Sequence, residues 1–128
     1  MRPLLPPHCL LCGAGDSGAI ACAACRREWP ALGAACPRCA LPAVAGALCG
    51  DCFVHPPPLD FAVAAFRYAF PVDRMIQALK YRGTLAMADA LADALVRAVR
   101  RAGIARVDAL LALPLAAARQ RERGFNQA

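Results

Sequence analysis

Beyond residue 58 the pattern of apolar and polar positions changes period twice. Residues 61–70 form an aromatic and β-branched run suited to a strand or hairpin edge. From Pro71 the period becomes helical. Val72, Ile76 and Leu79 fall on one stripe, Pro71 is placed as the first helical residue, Asp73 lies in the first turn, and Gly83 breaks the pattern. A second helix is predicted next, capped by Thr84, with Leu85, Ala88, Leu91, Leu95 and Val99 on its buried face and Gly103 at its end. Asp89 and Asp93 near its start and Arg97, Arg100 and Arg101 near its end suit the helix dipole, so the arginines read as a solvated helix terminus. Residues 107–113, VDALLAL, are almost continuously apolar, the pattern of a strand buried on both faces of a parallel sheet. Pro114 stops that strand. A loop follows with Arg119, Arg121, Arg123 and Gly124, and a new helix is expected to open through Phe125, Asn126 and Gln127. Guanidinium groups beside a helix start at the carboxyl end of a buried strand suit phosphate or pyrophosphate, although an Arg-rich surface loop is more often simply solvated.

The first 58 residues carry a different signal. Four CxxC pairs occur there, and the second two repeat the first two at a constant offset of 27: Cys9, Cys12, Cys22 and Cys25 become Cys36, Cys39, Cys49 and Cys52. Two vicinal thiolates grip one side of a tetrahedral ion, and a second pair folded back by a hairpin completes four ligands. The spacers of nine, ten and nine residues do not separate sequential from crossed pairing. The repeat favours sequential sites, with hairpin tips at Gly13, Gly15 and Gly18 in one unit and residues 45–47 in the other. Disulfides would require an oxidising compartment, and MRPLLPP has too few apolar residues and too many prolines for a signal peptide. The tight cysteine run of bacterial ferredoxins is absent. Two structural Zn2+ sites are therefore expected, with His8 and His55 as exposed neighbours and Trp29 and Phe53 capping small apolar clusters. The proline-rich stretch at residues 55–58 reads as a stiff connector, dividing a ribbon unit, residues 1–58, from residues 59–128.

Charge changes this picture little. The formal net charge is +6, and 14 of the 15 basic residues are Arg in an Ala-rich chain, as GC-rich coding produces. Eight thiolates and two dications together add four negative charges, leaving about +2 on the metallated protein and weakening any global argument for nucleic acid. No uninterrupted apolar stretch is long enough to span a bilayer, so a soluble, cytoplasmic protein without membrane insertion is expected.

Three motifs together carry a resemblance. CPRCALP at residues 36–42, FRYAFPVDRMIQALKYRG at residues 66–83, and the segment from LPL at residues 113–115 to RGFNQA at residues 123–128 occur in the order and spacing of the ComF family. The chain resembles the amino-terminal part of such a protein over essentially its whole length. That resemblance implies small metal-bound β ribbons, a double zinc ribbon, followed by a truncated α/β segment of the type I phosphoribosyltransferase fold. It also implies association with DNA uptake in competent bacteria, without establishing a nucleobase substrate. On the same basis Leu113, Pro114 and Leu115 end the strand before the first active-site loop, Arg119, Arg123 and Gly124 are its pyrophosphate-facing basic and flexible positions, and Asn126 and Gln127 open the next helix. Lys80 and Tyr81 are expected to shape the site or sheet edge, or simply to pack and be solvated. Ala112 and Leu113 stand where the family usually has Val or Pro-Val.

The acidic pair and Thr/Gly-rich turn that hold phosphoribosyl diphosphate in such transferases are absent from this sequence, which ends at Ala128 in a predicted helix start. The expectation is a truncated chain inactive as a transferase by itself, its phosphoribosyl diphosphate-like ligand belonging to a full-length parent. The alternative is that the ribbons themselves are a platform for single-stranded DNA or a DNA-uptake protein. Arg26, Arg27 and Arg38 are a thin basic set for that role.

Overall fold

A computed structural model of the chain describes residues 8–15, 20–44 and 46–128. Gly18 and Ala45, two of the expected hairpin-tip residues, lie outside the described residues, as does the MRPLLPP segment. Among the described residues five helices follow one another: α1 (Ala23–Arg27), α2 (Gly50–Val54), α3 (Val72–Arg82), α4 (Ala86–Arg101) and α5 (Ala117–Arg123). Strands are nearly absent among the described residues. Of two isolated antiparallel bridges, Ala35 with Pro42 lies within the ribbon region, and Ala31 with Phe66 joins that region to the segment after it, so the β ribbons expected from the sequence are scarcely formed.

The core lies where α3 packs on α4 and is built from Met75, Leu79 and Met87. α3 begins one residue later than predicted. Pro71 sits just outside it, accepting backbone hydrogen bonds from Arg74 and Met75 at 3.1 Å, and Gly83 closes it in the left-handed conformation. The stripe is turned slightly from the predicted one: Met75 is fully buried and Ile76 is half-buried. α4 shows a larger rotation. Its buried residues are Met87, Ala94 and Ala98, while Leu85 and Leu95, placed inside by the sequence pattern, are exposed. Ala88 and Leu91, also predicted inside, do pack against the core beside Met87, and alanine methyls fill the rest of the inner face. Thr84 does not cap α4, which starts after Leu85 without a side-chain cap.

The first ribbon is joined to this core. Leu11, Ile20 and Trp29 pack against the methionine cluster, and Trp29 meets Phe66 edge-to-face at a centroid distance of 5.2 Å. The Trp29 Nε1–H is buried without a partner among the described residues, so packing rather than hydrogen bonding holds the indole. Phe53, the corresponding aromatic expectation in the second ribbon, is instead 78% exposed.

Two predicted strands are not formed. Residues 61–70 form an irregular segment beside the first ribbon, tied by Arg67 N–H to the Pro30 carbonyl at 3.1 Å and by the bridge at Phe66. Residues 107–113 are irregular, and Leu110 and Leu111 are 93% and 90% exposed rather than buried on both faces. A buried parallel strand needs neighbours on each edge, and the described residues supply none. Arg119 likewise lies in a helix, α5, where a loop was expected. That helix ends at Gly124, so Asn126 and Gln127 follow a helix instead of opening one.

Replacing Met75 with Ala is expected to cost about 2–5 kcal/mol in urea unfolding. Leu110→Ala is expected to stay within about 0.5 kcal/mol. Equal losses would place residues 107–113 in a packed interior.

Candidate metal centre

Each cysteine tetrad is assembled from two local turns. In the first, the Gly13 N–H donates to the Cys9 carbonyl at 2.8 Å and the Cys9 N–H to the Ala14 carbonyl at 2.8 Å, curling the chain so that Cys9 and Cys12 share one side. Cys22 then caps α1, accepting from the Cys25 N–H at 3.5 Å, so the second pair sits at a helix start. The second ribbon repeats this geometry at the same offset of 27. The Ala40 N–H donates to the Cys36 carbonyl at 2.9 Å, the Cys36 N–H to the Leu41 carbonyl at 2.8 Å, and Cys49 caps α2 through the Cys52 N–H at 3.5 Å.

The pairing is sequential. Cys9, Cys12, Cys22 and Cys25 place their sulfurs within 4.8 Å of one another, and so do Cys36, Cys39, Cys49 and Cys52. Four sulfurs held about 2.3 Å from a tetrahedral zinc are separated by about 3.8 Å. The Cys9–Cys25, Cys12–Cys22 and Cys39–Cys49 sulfurs lie 3.7, 3.8 and 3.7 Å apart. Disulfides, at about 2.05 Å, are excluded by the same separations, and all eight cysteines are free. The donor set therefore fits two all-thiolate, closed, structural zinc sites, with no coordination position left for His8 or His55.

Electrostatics within each tetrad repeat as well. The Cys9 thiol is lowered to about 6: burial opposes its ionisation, and backbone N–H groups of Cys22, Cys12 and Leu11 outweigh it. Cys36 is lowered to about 6, first by the Cys49 backbone N–H. Cys25 is pushed up to about 12, chiefly by its side-chain contact with Cys12. Cys52 is also raised, foremost by burial and then by Cys39, Cys49 and Cys36. Cys22 is lowered as well, first by the Cys25 backbone N–H, and Cys39 is raised, so ready anions and reluctant partners sit side by side in each tetrad. A dication replaces repulsion among the sulfurs with attraction, and zinc binding expels the remaining protons.

One backbone position escaped the sequence reading. Gly13 and Ala40 occupy equivalent places after a CxxC pair, with φ of 74° and 60°, and Ala40 is the non-glycine residue with positive φ among those described. The 27-residue offset that aligns them was its available signal.

The other expected site residues are distributed unevenly. Arg119 and Arg121 are exposed on α5. Arg123 lies over the Tyr81 ring at 5.3 Å and donates to Gln127 Oε1 at 2.8 Å, while Asn126 Nδ2 donates to the Leu113 carbonyl at 3.0 Å. The two sequence signatures meet here, around a hollow of about 210 Å³ lined by Lys80, Tyr81, Gly83, Glu122, Arg123 and Phe125.

Two measurements check the metal geometry. Elemental analysis is expected to find two zinc ions per chain at neutral pH. Cys9 and Cys36 have folded values below the ordinary 9.0, so the stability carried by their anions is complete above 9.0 and lost as pH falls through about 6. Bound zinc holds these thiolates as anions to still lower pH, so zinc release to a colorimetric chelator should rise as pH falls below about 6, and full retention in strong acid would contradict the assignment. Gly13→Ala should lower stability by about 0.5–1 kcal/mol and Ala40→Gly raise it similarly, because no atom lies within 4 Å of a Cβ added at Gly13 and backbone conformation alone is at stake.

Comparison with known proteins agrees with this geometry. Residues 1–53 match the family model described as a double zinc ribbon domain. The chain is 35% identical to the DNA utilization protein YhgH of Escherichia coli strain K12 over 111 residues, covering 83% of this chain and 49% of that protein. It is 34% identical to the protein of that name from Salmonella typhimurium, with the same coverage, and 35% identical to that of Shigella flexneri. The chain spans about half the length of these curated relatives. No solved structure matches it. The cysteine-bearing region is therefore a double zinc ribbon, carried on a chain related to proteins named for DNA utilization.

Proposed function

We propose that the chain is the metal-ordered front of a ComF-like protein of DNA uptake, with a double zinc ribbon at residues 1–58 fused to the opening segment of a phosphoribosyltransferase-like domain at residues 59–128. The observation that carries this reading is the extent of the relationship to the DNA utilization proteins. At 83% of the chain, it exceeds what either part supplies alone. The exposed leucines of residues 107–113 support it, since an apolar segment this open is suited to joining a sheet in a longer parent. Among the described residues no helix is long and apolar enough to cross a membrane.

In that parent, Arg119 and Arg123 would bind the pyrophosphate of a phosphoribosyl diphosphate-like ligand, with Gly124 providing the turn that returns Phe125 to the core. The Tyr81 ring beneath Arg123 holds its guanidinium near the hollow shared with Lys80. Any transfer chemistry belongs to the longer protein, whose acceptor is a separate matter. A second reading, in which the ribbons are a platform for single-stranded DNA or a DNA-uptake partner, is favoured by Leu41, Val44, Leu48, Phe53 and Val54, all exposed on the second ribbon.

Calorimetric titration of the zinc-loaded chain with pyrophosphate tests the phosphate assignment. Arg119→Ala combined with Arg123→Ala is expected to weaken binding about tenfold or more. Unchanged affinity would remove these two arginines from the reading.

A further inference from the structure

The first ribbon and α4 enclose a cleft that neither sequence segment announces. Two adjoining hollows, of about 380 and 190 Å³, share Arg26, Trp29, Phe66 and Arg101 in their walls, and Arg97 lines the smaller one. Arg26 comes from α1, while Arg97 and Arg101 stand four residues apart on one face of α4. The Arg26 Nε donates to the Ala21 carbonyl at 2.8 Å, anchoring that guanidinium through its inner nitrogen. Among the described residues no carboxylate pairs with these three arginines, the recorded ion pair being Arg74 with Asp73. The terminus of α4 accounts for Arg97 and Arg101 through the helix dipole, but it does not account for a third cation brought across from the ribbon. Three like charges gathered without a counterion repel one another, and a bound anion relieves that repulsion.

The wall between these cations is aromatic. Trp29 and Phe66 are half-buried and packed edge-to-face, and Ala98 extends the apolar surface of the larger hollow. Cations beside an aromatic surface form the combination that binds unpaired nucleotides, with the phosphate held by charge and the base by its planar face. The larger hollow falls within the range of small-ligand sites.

We propose that this cleft binds a phosphate-bearing planar base, one nucleotide unit of single-stranded DNA. Arg26, Arg97 and Arg101 hold the phosphodiester, and the base rests on the Trp29–Phe66 wall. The assignment rests on the DNA-linked reading above, and it is separate from the Arg119–Arg123 region.

Trp29 is the only tryptophan in the chain, so its emission reports on this cleft directly. The zinc-loaded full chain is titrated with a single-stranded oligodeoxythymidylate, with thymidine monophosphate and with inorganic phosphate. The oligonucleotide and the mononucleotide are both expected to change the emission, and phosphate at equal concentration is not. Arg97→Ala combined with Arg101→Ala, both exposed positions, should weaken the oligonucleotide about tenfold or more and reduce the slope of log affinity against log salt by up to about 0.7, the share of one phosphate. Circular dichroism confirms that this variant keeps its helices. Arg74→Ala combined with Arg106→Ala, both exposed, removes equal charge elsewhere and should lose far less affinity; an equal loss would mean diffuse attraction and overturn the site. An equal response to phosphate would overturn the role of the aromatic wall. Oligonucleotide binding that leaves Trp29 emission unmoved, or that survives in the Arg97/Arg101 variant, would overturn the cleft while leaving the DNA-linked reading standing. Absence of any oligonucleotide binding would overturn the cleft, and the pyrophosphate titration would still report independently on the proposed function.

Discussion

Coordination of sulfur around zinc is the constraint on which the rest of this structure depends. Among the described residues of the first 53, few side chains are fully buried besides the cysteines Cys9, Cys36 and Cys52. So small an apolar interior does not offset the conformational entropy of ordering two ribbons, and the metal supplies the missing free energy. The backbone prepares for it. Turns after Cys9 and Cys36 and helix starts at Cys22 and Cys49 point four sulfurs inward, and N–H groups directed at sulfur favour the anionic ligand that zinc requires.

From that ordered lobe the organisation passes to the helices through one indole. Trp29 belongs by sequence to the first ribbon, yet it packs beside Met75, Leu79 and Met87 and against Phe66. Leu11 and Ile20 reinforce the junction. The helix pair therefore completes its interior with side chains whose positions are set by cysteine ligation some residues away. The same junction brings Arg26 toward Arg97 and Arg101, so the basic cleft is a product of the docking between the two parts.

What could be read in advance follows from the range of the interactions involved. The tetrads were legible because ligand identity and spacing are local, and the 27-residue repeat favoured the sequential pairing that the structure displays. α3 and α4 were legible because helical periodicity and glycine stops are also local. The face of α4 was legible in part, since Ala88 and Leu91 do pack against the core. Choosing Leu85 and Leu95 over Ala94 and Ala98 ranks side chains by hydrophobicity, whereas close approach of a neighbour rewards small ones. Residues 107–113 show a different limit: an apolar run specifies that it seeks burial, but strand pairing requires edges from elsewhere in the chain. Arg26 stands in sequence among ribbon residues, and no local spacing encodes that α4 brings two more guanidinium groups beside it.

The duplicated lobes, alike in their turns and caps, have opposite fates. One has given Leu11, Ile20 and Trp29 to the shared interior, while the other keeps Val44, Phe53 and Val54 turned to solvent. A common scaffold can thus diverge by changing which way its oily residues face, with ligation left untouched. The inward copy is committed to the architecture of its own chain, and the outward copy is free to change its surface without loosening the protein that carries it.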